Sequence, residues 1–183
     1  MTEILGAVLA GGRSLRFGSD KALANVGGKP MIQHTIDALA RITRAIIICG
    51  RQLPGYASLP DRPAAALGPL GGLNAALHEA SARRCPWVLT VACDTPVIPA
   101  GVLQQLADGR RPQYVATQPV IGLWPSSAGR QLDEWIASAD SRSMRRWAEA
   151  LGATGAFEGA DIPNFNYADA LDRWLATPPA EQP

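Results

Sequence analysis

Residues 4–23 read ILGAVLAGGRSLRFGSDKAL: an apolar run over residues 4–10 breaks at Gly11-Gly12 into a loop that carries Arg13, Arg16, Gly18 and Lys21. An unbroken apolar run of that length suits a strand buried on both faces, as in a parallel sheet covered by helices. Residues 45–49 and 87–93 form two more such runs. Between them the period changes from strand to helix. From Pro30, placed for a first helical turn, Ile32, Ile36, Leu39 and Ala40 recur at helical spacing; over residues 70–83, Leu70, Leu73, Leu77 and Ala80 do the same. Arg83 and Arg84 close that second helix, where its dipole favours cations.

Strand, glycine loop, helix, strand, loop, helix, strand is the βαβαβ order of an open, mostly parallel α/β sheet. Ligands of such sheets bind at the carboxyl ends of the strands. Residues 9–21, 49–61 and 94–96 all follow strand ends, so they are expected to meet along one edge. The second half is less regular. It predicts helices near 101–107, 129–137, 143–151 and 168–175, with short strands near 114–117 and 121–124. Residues 1–175 are expected to form a single domain, and residues 176–183, rich in proline, have little to pack against and are expected to be disordered.

At 183 residues the chain buries a sizeable core without disulfide or metal staples. Seventeen basic residues against 16 acidic ones leave a net charge of +1, so no global field points to nucleic acid or a membrane surface, and any anion site is local. Cys49, Cys85 and Cys93 are odd in number and form no C-x-x-C pair, which fits a reducing cytoplasm. No apolar stretch is long enough to span a bilayer, and the N-terminus lacks the basic and long apolar regions of a secretory leader.

The opening loop matches neither G-x-x-x-x-G-K-[ST] nor G-x-G-x-x-G. It still has what a polyphosphate needs. Gly11 and Gly12 let backbone N–H groups turn inward as an anion nest, and Arg13, Arg16 and Lys21 supply charge-assisted donors. A glycine-rich turn with solvated charges is the bland alternative, but such a turn seldom needs all of these residues for packing.

Asp94 follows the third apolar run directly, so its carboxylate emerges at the same edge. A carboxylate facing phosphates calls for a cation between them, and Mg²⁺ held by one carboxylate, phosphate oxygens and water is the ordinary solution; an Asp capping the turn at Thr95-Pro96 is the competing reading. Gly68-Pro69-Leu70-Gly71-Gly72 opens the second helix with glycines where almost any other residue propagates a helix better. Either a flat base or ribose lies on that backbone, or helix and sheet pack unusually close. Asn166, three residues before Asp169, reads as a helix N-cap, whereas Asn164 has no such structural reason. Arg142, Arg145 and Arg146 read as a solvated face, and His34 and His78 are too isolated for a zinc site.

Taken in order, L-A-G-G-x-S-x-R-x-G-x-D-K from Leu9, G-K-P from Gly28, G-P-L-G-G from Gly68, C-D-x-P from Cys93 and N-x-N from Asn164 resemble the molybdenum cofactor guanylyltransferases. The similarity runs from Val8 to Leu171. It implies a three-layer Rossmann-like nucleotidyltransferase fold with a mostly parallel central sheet, and transfer of GMP from GTP to the terminal phosphate of molybdenum-molybdopterin with Mg²⁺, releasing pyrophosphate. Leu9, Ala10, Gly11, Gly12, Asp61, Pro69, Leu70 and Gly72 would then line the nucleotide, with Lys21 on its phosphates. Asp94 would hold the metal, Arg13, Arg16 and Lys21 would steady the departing pyrophosphate, and Asn164 and Asn166 would border the pterin. Implied partners are GTP, molybdenum-molybdopterin, other proteins of molybdenum cofactor assembly and apo-molybdoenzymes, with the enzyme a cytoplasmic monomer.

The chain departs from the pattern at Phe17, at Cys49, and in a hairpin around residues 116–120 that is shorter than usual. An acceptor phosphate is ionised at neutral pH, so the in-line attack needs no general base. Rival readings are a molybdopterin cytidylyltransferase, which usually has L-A-A-G and lacks G-P-L-G-G, a sugar-phosphate nucleotidyltransferase, and a non-catalytic GTP-binding module in cofactor delivery.

Overall fold

The computed structural model describes residues 3–11, 20–99, 101–138, 141–160 and 162–165. β1 (Ile4–Leu9) leads through the glycine loop to a 3₁₀ turn (Lys21–Leu23) and a small ribbon, β2 (Asn25–Val26) with β3 (Lys29–Pro30). Then follow α1 (Met31–Ala40), β4 (Ala45–Cys49), β5 (Ala57–Leu59), α2 (Pro69–Ala82), β6 (Trp87–Ala92) and α3 (Val102–Gly109). The remainder is β7 (Gln113–Val115), β8 (Gln118–Pro125), a 3₁₀ turn (Ser126–Ala128), α4 (Gly129–Ser138), α5 (Met144–Leu151) and β9 (Thr154–Ala156).

Seven strands form one sheet in the order β5-β4-β1-β6-β8-β7-β9. Only β8 runs against its neighbours, β6 and β7; the other pairings are parallel. The mostly parallel sheet expected from the apolar runs is therefore present. The strand direction has a direct consequence for the site. The carboxyl ends of β1, β4, β5, β6, β7 and β9 and the beginning of β8 share one edge.

Alternate residues of the strands face opposite layers, as the two-residue period requires. Leu5, Ala7, Leu9 and Ile47 pack with Leu70, Leu73 and Leu77 of α2, Leu132 of α4 and Trp147 of α5. Ile4, Val8 and Ile48 pack with Ile32, Ile36 and Leu39 of α1 and Leu103 and Leu106 of α3. Helices on both faces of the sheet give three layers.

Several expectations shift. Pro30 pairs with Asn25 in the ribbon and stands just outside α1, and Ala40 ends that helix exposed. Cys93 lies beyond β6, in a turn. The short ribbon, β5 and β9 carry no periodic signal because each is two or three residues long. β8 starts at Gln118, earlier than expected, since Pro119 sits where the β7–β8 register slips and needs no ladder N–H. The expected helix at 168–175 and the tail at 176–183 lie outside the described residues.

Candidate active site

A cleft of about 730 Å³ opens at the shared edge, lined by Ala10 and Gly11 after β1, Gly50 and Arg51 after β4, Pro60 and Asp61 after β5, and Gly68 before α2, with Asp20 and Ala65-Ala66 completing it. Leu9 and Ala10 already serve the sheet: Ala10 N–H donates to the Cys49 carbonyl at 2.8 Å, and the Leu9 carbonyl accepts from Cys93 N–H at 3.2 Å. Gly11 is therefore where backbone first leaves the ladder and faces the cleft.

Glycines bring Asp61 into this cleft. A Cβ on Gly11 would lie 3.3 Å from both carboxylate oxygens of Asp61, and one on Gly71 would lie 2.9 Å from Asp61 Cβ. Gly50, at φ +86°, packs so closely on Gly11 that a Cβ would fall 2.3 Å from Gly11 Cα. Gly72 abuts Cys49 Cβ and Leu9 Cδ2, each 3.2 Å from its hypothetical Cβ. Close packing of α2 on Asp61 and the sheet is a structural reason for Gly71-Gly72. Leu70 and Gly72, expected against the nucleotide, are buried, and Gly68 lines the cleft.

The Asp61 carboxylate accepts no hydrogen bond among the described residues, and burial raises its pKa above the ordinary value. It is a partly desolvated acceptor with both oxygens available. That is an arrangement a protein tolerates where a ligand supplies the donors.

Next to the cleft stands a close ion pair. Lys21 Nζ lies 2.6 Å from Asp94 Oδ2, with the two side chains 11% and 17% exposed. Asp94 Oδ1 is buried and accepts no hydrogen bond among the described residues. The turn beneath it is held by another residue: Thr95 Oγ1 donates to the Ala92 carbonyl at 2.8 Å, so Asp94 is not the turn's cap. An orphaned carboxylate oxygen fits a divalent cation that brings its remaining ligands as phosphate oxygens and water. Among the described residues no group of three metal-ligating side chains forms a cage.

Lys21 begins a 3₁₀ turn whose N-cap is Asp20, accepting from Ala22 N–H at 3.2 Å. Both Asp20 oxygens also take the fork of Arg51, Nη1 to Oδ1 at 2.8 Å and Nη2 to Oδ2. Hydrogen bonds from Arg51, the largest influence, hold the Asp20 carboxyl below its ordinary pKa. The end of the glycine loop is thereby clamped to the end of β4.

On the far side, Phe165 N–H donates to the Asp94 carbonyl at 3.3 Å, so Asn164 is carried to the neighbourhood of Asp94 across 70 residues of sequence. Asn164 Nδ2 approaches Gln118 Oε1 at 3.5 Å. Gly12, Arg13, Arg16 and Asn166 lie outside the described residues.

Sequence reading gave no role to Gly50 and Arg51, took Arg142 as part of a solvated face, and met Gln118 only within a shortened hairpin. Arg142 is exposed, and its Nη1 donates toward the Ala66 carbonyl at the cleft rim at 3.5 Å. Gly50-Arg51 could have been found, since a glycine and an arginine directly after an apolar run repeat the pattern after β1. For Gln118 the one local signal was the shortened hairpin of residues 116–120. The histidines are structural: His34 donates to the Val26 carbonyl, and His78 donates to Asp133, which also holds the buried Asn74 amide. Burial pushes the Cys49 and Cys93 thiols up to about 12, so neither is a nucleophile at neutral pH.

Comparison with known proteins agrees with this architecture. Residues 6–154 match the MobA-like NTP transferase domain. A protein of Rhizobium leguminosarum bv. trifolii named molybdenum cofactor guanylyltransferase is 32% identical over 154 residues, 79% of this chain and 74% of its own. A Yersinia pestis (strain Pestoides F) protein of the same name is 31% identical over 189 residues, 94% and 95% of the two chains. The crystal structure of molybdopterin-guanine dinucleotide biosynthesis protein A from Archaeoglobus fulgidus superposes with a TM-score of 0.71 at 21% identity, covering 92% of this chain and 95% of that one, and shares the fold. Fold, cleft and relatives together define an enzyme, a nucleotidyltransferase. Within that class the chain belongs to the MobA-like NTP transferase family.

Proposed function

We propose that the protein transfers GMP from GTP to the terminal phosphate of molybdenum-molybdopterin, giving the guanine dinucleotide and pyrophosphate. The observation that carries this reading is Asp61, whose two oxygens have no partner among the described residues and stand at the cleft wall among Gly11, Gly50 and Gly71. A carboxylate accepts two parallel hydrogen bonds, and guanine presents two adjacent donors, N1–H and the 2-amino group. Adenine and cytosine each pair one donor with an acceptor on the corresponding edge and leave one Asp61 oxygen facing a lone pair.

The rest of the site suits in-line transfer. The backbone around Gly11, with no side chain to intervene, approaches the nucleotide, and Lys21, set by the Asp20 cap, faces its phosphates. Magnesium is the metal proposed, held by Asp94 Oδ1, and when bound it supplies neutralisation of charge on the transferring phosphoryl group. Arg13 and Arg16 steady the departing pyrophosphate, while Asn164 and Asn166 border the acceptor. Its phosphate attacks already ionised, so no residue need act as a base. Partners in this reading are the two substrates and the proteins that supply and receive the cofactor.

The test is magnesium-dependent pyrophosphate release from GTP, CTP, ATP and UTP in parallel, with molybdenum-loaded molybdopterin as acceptor. Release with GTP alone supports the proposal. A preference for CTP keeps the mechanism and overturns the base assignment, and silence with all four, beside retained GTP binding, favours a binding module.

A further inference from the structure

Resting on the transfer reading, we propose that Gln118 is the positioning residue for the acceptor half of the site: it orients Asn164 beside Asp94 and governs acceptor binding while leaving nucleotide binding alone. Gln118 begins β8, at the sheet edge where β6 delivers Asp94. Its amide serves in both directions, Nε2 donating to the Ile162 carbonyl at 2.7 Å and Oε1 facing Asn164 Nδ2 at 3.5 Å. Beside it, Thr117 Oγ1 donates to the Ala160 carbonyl at 3.2 Å. At the other end of the same stretch, Phe165 is buried with Val26 and Met31, and its N–H reaches the Asp94 carbonyl. The segment bearing Asn164 is thus tied to the β7–β8 hairpin at one end and to the Asp94 turn at the other.

A built feature aims Gln118 at this segment. Tyr114 pairs with Gly122, yet the next residue, Val115, pairs with Gln118, so residues 119–121 of β8 have no counterpart on β7. Thr90 Oγ1 of β6 donates to the Val120 carbonyl at 2.6 Å inside this irregularity and accepts from Trp124 Nε1 at 2.8 Å. Irregularities of this kind redirect side chains at sheet edges. Only a neutral amide meets both demands on Gln118, since a carboxylate has no proton for Ile162 and an apolar side chain has neither group.

The experiment uses the full chain with Gln118→Met, which keeps volume, Gln118→Glu, which keeps only the acceptor, and Thr117→Val as a milder variant at an exposed position. Pyrophosphate release is measured with GTP and molybdopterin varied separately, and hydrogen–deuterium exchange is followed in peptides ending at Phe165. The expected result is an acceptor KM raised about tenfold for both Gln118 variants and two- to threefold for Thr117→Val, with the KM for GTP unchanged. Exchange should rise at Asn164 and Phe165. An unchanged exchange pattern, or KM values for both substrates rising together, overturns the proposal. A silent wild type beside faster exchange in the variants counts against the transfer reading instead and keeps the positioning role.

Discussion

Lys21 Nζ, in the 3₁₀ turn that follows the loop after β1, stands 2.6 Å from Asp94 Oδ2, in the turn after the neighbouring β6, joining residues 73 positions apart in the chain. One Asp94 oxygen is committed to this contact, and the other is buried with no hydrogen-bond partner among the described residues. The pair therefore holds the carboxylate in place while leaving one oxygen for a cation. Removing the charge while keeping the shape, as in Asp94→Asn, is expected to lower turnover by at least 10²-fold at any magnesium concentration. Pyrophosphate release beside a thermal melt checks this, and near-normal turnover would remove the metal assignment.

Asp61→Asn separates recognition from stability. Replacing one acceptor oxygen by an amino group should weaken GTP binding by about 10- to 100-fold. Xanthosine triphosphate should gain, because its 2-oxo group accepts from the new amide; calorimetric titration of both nucleotides reads this directly.

The same substitution has a pH signature. Burial raises the Asp61 pKa, so the folded state takes up a proton at a pH where the unfolded chain remains ionised. The ionised carboxylate thus weighs against folding above that pKa, and the penalty fades as pH falls through it. Asp61→Asn is expected to melt higher than wild type at pH 7, with the difference closing in acid. A variant that melts lower at neutral pH would contradict the desolvated, unpartnered description.

Gly50→Ala should destabilise. The added methyl group meets Gly11 Cα at 2.3 Å and the backbone is already at φ +86°. Strain and overpacking together amount to about 2–4 kcal/mol, measurable by urea unfolding. Nucleotide affinity should fall with it, because the same contact shapes the Asp61 wall.

Arg51→Ala is expected to act on rate more than on stability. The Arg51–Asp20 fork is partly exposed, with side chains 22% and 43% accessible, so its loss should cost about 1 kcal/mol or less. Asp20 nevertheless caps the turn that carries Lys21, and kcat should fall about tenfold while the melting temperature moves by a few degrees. The Asp20 contribution to stability is present at neutral pH and is lost as pH falls through its lowered pKa.

The sequence by itself determined the parallel core of the sheet and the loops that carry Gly11, Lys21, Asp61 and Asp94. Buried parallel strands must be apolar on both faces, and the loops after them must accommodate backbone without side chains, so both leave marks in a single chain. Only tertiary structure decided what those residues do to one another. Nothing near Gly71 announces that its neighbour is Asp61, and nothing near Lys21 announces Asp94, because close approach between strands is set by sheet order and register. The same holds for Gln118, whose direction follows from an irregularity in pairing, and for Arg51, whose partner is 31 residues away. Local pattern reports burial and backbone freedom; charge pairing and positioning across the shared edge arise when distant strand ends are brought side by side.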